Sequence, residues 1–172
     1  MESNLIALKL FLDEVGQQPT IASQDDRMAL QKVVYLGQIF GADLGYRYSW
    51  YVRGPYSPNL TQDYYALNGA LAAGDQSSQS RVLNDRLRGA LQQARQLLSK
   101  PPHVQLTLPY WYELLASLDF LVRVSWKSID EAKQIVRAQK PHLAMWVDIG
   151  MNHLQQYAPA PPHLQQAPAQ AH

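Results

Sequence analysis

Apolar residues recur at helical spacing over most of the chain, with one interruption of different period. Residues 4–15 place Leu5, Ile6, Leu8, Leu10, Phe11 and Val15 in a short amphipathic pattern that Gly16 closes. A polar loop follows. Ser23-Gln24-Asp25-Asp26 then has the form of a capping box, in which a serine hydroxyl and an acidic side chain satisfy amides at a helix start. The helix it opens runs to about Phe40 on a stripe of Met28, Leu30, Val33, Val34, Leu36 and Ile39. Over 46–53 the period drops to two. Tyr46, Tyr48, Trp50 and Val52 fall on one side, and Arg47, Ser49, Tyr51 and Arg53 on the other, which predicts a strand with one buried face. Gly54-Pro55 is expected to break that strand. Ser57 is then an N-cap with Pro58 at the first helical position, where its missing amide costs nothing, for a helix over 58–67.

Downstream, 69–80 reads as a flexible connection. Leu83, Leu87, Leu91, Ala94 and Leu98 mark a fourth helix, stopped by Pro101-Pro102. A fifth begins near Pro109 and continues through Trp111, Leu114, Leu115, Leu118, Leu121 and Val122. Being apolar nearly all round, it is expected at the centre of the core. Ser128-Ile129-Asp130-Glu131 is a second capping box, opening a sixth helix to about Gln139, and 142–157 carry the last. From Ala158 onward Pro, Ala and Gln dominate without periodicity. The expectation is a single helical domain over 1–157 and a disordered tail over 158–172. The fold class is mainly α, a compact helical domain with a small β element, an arrangement that a winged helix would share.

Composition narrows the function. At 172 residues the chain is long enough for one well-formed core. Its formal charge of +1 lacks the strong basic footprint of a dedicated nucleic-acid binder, leaving only a local patch for that role. There is no cysteine, which removes thiolate nucleophiles, disulfides and cysteine metal sites. The start of the chain lacks a basic signal-peptide region, and the least charged long stretch, 107–126, still carries Glu113, Asp119 and Arg123. A cytoplasmic protein with no membrane partner is the reading.

No phosphate-binding loop, nucleophile elbow, dinucleotide fingerprint or zinc-protease signature occurs, so nothing points to an enzyme or a cofactor. Glu113 and Asp119 lie on the apolar fifth helix, but six residues apart they do not converge, and Asp119 reads as an ion pair with Arg123. The five histidines lack helical metal-site spacing, so no metal is expected. The informative stretch is aromatic: Tyr46, Tyr48, Trp50, Tyr51, Tyr56, Tyr64 and Tyr65 fall within twenty residues. Tyr and Arg are favoured interface anchors, so Tyr51, Arg53 and Tyr56 are the candidate partner contacts, while Gly54-Pro55 can equally be a structural corner over packed aromatics. Lys32 joins them as a side chain able to face a partner's carboxylate or phosphate, or simply to snorkel from the helix edge. Arg47, Arg53, Arg81 and Arg88 are the alternative set, able to line a nucleic-acid backbone or to form a solvated face.

Three segments carry a family resemblance: Leu30-Gln31-Lys32-Val33-Val34-Tyr35-Leu36, Leu44-Gly45-Tyr46-Arg47-Tyr48-Ser49-Trp50, and Gly54-Pro55-Tyr56-Ser57-Pro58-Asn59-Leu60. With Trp111-Tyr112-Glu113-Leu114-Leu115-Ala116-Ser117-Leu118 and Lys140-Pro141, they resemble the YwgA-like bacterial proteins over about residues 25–157. More distantly they resemble the Panacea (SocA-like) antitoxin domain. The resemblance implies a mainly helical domain with a small β element. For the Panacea group it implies neutralising a partner toxin or bridging a partner to a protease. The function expected is therefore a non-enzymatic interaction module of antitoxin or phage-defence-accessory type, with nucleic-acid binding as the alternative.

Overall fold

A computed structural model describes residues 1–165 of the protein. Among the described residues, seven α-helices and one two-stranded antiparallel sheet make up a mainly helical fold: α1 (Ser3–Val15), α2 (Gln24–Gln38), β1 (Ser49–Tyr51), β2 (Gly54–Tyr56), α3 (Pro58–Ala72), α4 (Asp85–Leu98), α5 (Leu108–Arg123), α6 (Ile129–Gln139) and α7 (Val147–Tyr157). Short 3-10 turns cover Pro141–Trp146 and Pro162–Leu164.

The local signals act as read. Ser23 Oγ accepts from the Asp26 amide at 3.0 Å while Asp26 accepts from the Ser23 amide at 3.1 Å. Ser128 and Glu131 exchange the same pair of bonds, and the bond from the Ser128 amide holds the Glu131 carboxyl below its ordinary range. Each cap contributes about 1 kcal/mol. α5 is the central helix: every side chain from Trp111 to Val122 is buried, and α2, α6, α7 and the hairpin pack around it. Each fully buried leucine there contributes roughly 1.5–3 kcal/mol. α7 comes close enough that a Cβ on Gly150 would stand 2.8 Å from Leu114 Cδ2.

Several expectations need correction. The strand is three residues long, and Gly54-Pro55 does not end the sheet but forms its second strand, in the register Ser49↔Tyr56, Trp50↔Pro55, Tyr51↔Gly54. A two-stranded sheet is all edge, and an edge accommodates a proline that has no amide to donate. Val52, expected on the buried face, lies at the turn and is 94% exposed. α3 continues a turn past Leu67, to Ala72, and the last helix starts as a 3-10 segment and becomes α-helical at Val147.

Residues 158–165, expected within an unstructured tail, run back over α5. The Arg123 guanidinium donates to the Pro159 carbonyl at 2.6 Å, and His163 stacks on Trp126 at 4.1 Å. The remainder of that expected tail, 166–172, lies outside the described residues. No helix among the described residues is long and apolar enough to cross a membrane.

Candidate functional site: a groove beside the hairpin

The hairpin rests on charged groups that the core has sealed in. Gly54 adopts φ +92°, a left-handed conformation that suits glycine, and its backbone lies against α5. A Cβ there would stand 2.4 Å from Ser117 Oγ. On one side, Lys32 Nζ of α2 donates to the Pro55 carbonyl at 2.6 Å. On the other, Lys140 Nζ, just past α6, donates to the Val52 carbonyl at 2.8 Å and to Glu113 Oε2 at 3.0 Å. His142 Nε2 stands 3.0 Å from Glu113 Oε1. The Trp50 indole donates to Gln139 Oε1 at 3.2 Å, and Lys140 lies over its ring at 5.4 Å from the centroid. Three helices thus grip a turn of a few residues.

Lys32 is only 2% exposed, so it does not snorkel as a helix-edge lysine would. Burial pulls its pKa down to about 7 against the attraction of Glu113, while Lys140 and Arg53 push it further down. Removing one partner of a buried pair such as Lys140–Glu113 typically costs about 3–5 kcal/mol, because the other charge is stranded. Glu113 and Asp119 face different partners, as their spacing requires. Asp119 accepts from the Tyr35 hydroxyl at 2.7 Å and from Arg123 at 2.9 and 3.0 Å.

Next to Lys32, Gln31 fixes the entry to α3. Its amide accepts from the Ser57 N–H and donates to the Ser57 carbonyl, both at 2.9 Å, and it also donates to Thr61 Oγ1 at 2.9 Å. Thr61 in turn donates to the Tyr56 hydroxyl at 2.6 Å, and the Tyr56 ring meets Tyr51 edge-on at 5.0 Å.

Between α2, the hairpin and α3 these contacts leave a groove of about 420 Å³. Tyr51, Arg53, Tyr56 and Lys32, the four candidate contacts read from the sequence, all line it. Arg27, Tyr64 and Tyr65 complete its walls and were not among those candidates. Tyr65 belongs to the aromatic enrichment that singled out this stretch, whereas Arg27 joins only through the rotation of α2 against the hairpin.

The alternative arginine set does not converge. Arg47 pairs with Asp43 at 3.4 Å, Arg88 approaches Glu14 at 3.9 Å, and Arg81 is exposed between α3 and α4. Arg53 alone of that set reaches the groove, with Asp25 at 3.7 Å. Among the described residues no three histidine or carboxylate side chains cluster as metal ligands. Comparison of the chain with known protein families, with characterised proteins and with solved structures finds no match in any of the three.

Proposed function

We propose that the protein is a non-enzymatic interaction module that binds and regulates a partner protein in the cytoplasm, of the antitoxin or phage-defence-accessory type. The observation that supports this reading is the rim of the groove. Tyr51, Val52 and Tyr65 are 49%, 94% and 51% exposed there, beside Arg53. Large apolar side chains left in water next to an arginine match the composition of interface hot spots. The hairpin beneath them is pinned by Lys32 and Lys140, so docking does not have to order it first. A partner seated on this rim would be occluded or recruited.

The test is capture of the partner from native cells by the tagged protein under nuclease treatment. Tyr51→Ala combined with Arg53→Ala should weaken a stoichiometric protein complex by well over tenfold, since hot-spot truncations cost about 2 kcal/mol or more each. Undiminished capture by a variant with an unchanged circular dichroism spectrum would refute the proposal. Nucleic acid in the eluate, released steeply by salt, would favour a winged-helix-like binder using Arg47, Arg53, Arg81 and Arg88 instead.

A further inference from the structure

The charges that surround the groove are unbalanced. Its lining contains three basic side chains, Arg27, Lys32 and Arg53, and no carboxylate. Their own partners are mostly neutral: Arg27 donates to the Ile21 carbonyl at 2.8 Å and Lys32 to the Pro55 carbonyl. Glu113, the acid nearest behind Lys32, gives its two oxygens to Lys140 and His142. Asp25 approaches only Arg53, loosely at 3.7 Å, with both side chains about half exposed. The walls between the cations are phenol rings, Tyr51, Tyr56 and Tyr64, which offer apolar faces and hydroxyl donors together.

We infer that this groove selects an acidic peptide segment of its protein partner, with an aspartate or glutamate side chain entering between Arg27, Arg53 and the Lys32 end and apolar flanks lying on the tyrosines. This inference rests on the partner-docking reading above. Charge complementarity carries it: the Arg27 guanidinium ends on a carbonyl and Arg53 meets only the half-exposed Asp25, so a ligand carboxylate supplies charge-assisted bonds that these arginines otherwise lack. A nucleic-acid strand fits less well. Its phosphates repeat along a line, whereas these basic side chains line one cavity and Arg47, Arg81 and Arg88 do not line it.

Fluorescence anisotropy on the full chain tests this directly. One probe is a fluorescein-labelled octapeptide pool with a fixed central Glu and degenerate Leu, Tyr, Ser and Ala flanks; the other is the same pool with central Gln. The Glu pool should bind about tenfold tighter or more, as one charge-assisted contact gives, and the preference should fade with salt. Arg27→Gln with Arg53→Gln should bring the two pools close to equality. Equal binding of both pools to the unaltered protein overturns the inference, whatever the variant does. Displacement of the Glu pool by a twelve-residue oligothymidylate at lower concentration also overturns it, in favour of nucleic acid. If cell partners are captured through Tyr51 and Arg53 while the pools bind equally, the docking reading stands and the acidic preference falls. If the Glu pool wins but capture ignores Tyr51→Ala with Arg53→Ala, the acidic preference stands and the docking reading falls.

Discussion

Gly54→Ala isolates what holds the hairpin to the core. Two separate costs meet at this residue. Its φ of +92° is unfavourable for any residue with a Cβ, by about 1–2 kcal/mol. The added methyl would stand 2.4 Å from Ser117 Oγ, so either the hairpin lifts or α5 yields, an overpacking cost of about 1–3 kcal/mol. Together the expected loss is about 2–5 kcal/mol. Ser117→Ala separates the terms. Ser117 Oγ is buried with no hydrogen-bond partner among the described residues, so deleting it alone should cost little. With it gone, the nearest neighbours of the new methyl are Ser117 Cβ at 3.6 Å and Lys32 Nζ at 3.7 Å, ordinary contacts. In the Ser117→Ala background Gly54→Ala should therefore cost only the backbone strain of about 1–2 kcal/mol. Urea unfolding of the four proteins, followed by circular dichroism, gives the coupling directly. An equal cost of Gly54→Ala in both backgrounds would refute the steric account and leave backbone strain as the whole reason for a glycine.

Two further outcomes follow from named contacts. The pKa of Lys32 is near 7 when folded and 10.5 when free, so above pH 7 the unfolded chain holds the extra proton and stability should climb towards pH 9. Lys32→Met should flatten that climb in urea midpoints taken from pH 7 to 9, and an identical slope in both proteins would mean that Lys32 does not titrate in this window. Truncation after Tyr157 removes the Pro159 acceptor of Arg123 and the ring stacked on Trp126, and uncovers Leu118, Val122 and Leu154. A hydrogen bond to a charged group alone implies a loss of about 1.5–3 kcal/mol, and an unchanged melting temperature would show that 158–165 contribute nothing.

What could be read ahead was whatever depends on neighbours in sequence. The two capping boxes and the Ser57-Pro58 start are contained within four residues each, so the chemistry of those residues determines them. α5 was legible because a helix apolar on all sides has only the interior to occupy. The second strand was not, because Gly54-Pro55 carries a breaker's signature, and only an open edge and the backing of α5 let it pair. Lys32 and Lys140 were hidden for a similar reason. A lysine within or just after a helix normally reaches water, and here each is kept inside by a carbonyl 23 or 88 residues distant in the chain. Tyr51, Arg53 and Tyr56 were picked out by aromatic and arginine enrichment, and Lys32 by its place beside the apolar stripe of α2. Arg27 carried no such signal, since its place depends on how α2 turns against a hairpin that itself was only half foreseen.

The charges beneath the hairpin are more than its anchoring requires. A turn of this size can be held by apolar packing and backbone hydrogen bonds, and burying ammonium groups usually costs more than it returns. Glu113 offsets part of that cost, but it serves Lys140 and His142 first, and Lys32 meets a carbonyl rather than a carboxylate. Lys32 lines the groove together with Arg27 and Arg53, and near pH 7 its charge is only partly retained. An anion arriving there would meet donors already fixed in place and would lower the cost of keeping Lys32 charged. Under the proposed acidic-peptide docking, anchoring and recognition would be coupled through one side chain: the lysine that holds the Pro55 carbonyl would gain a counter-ion from the ligand.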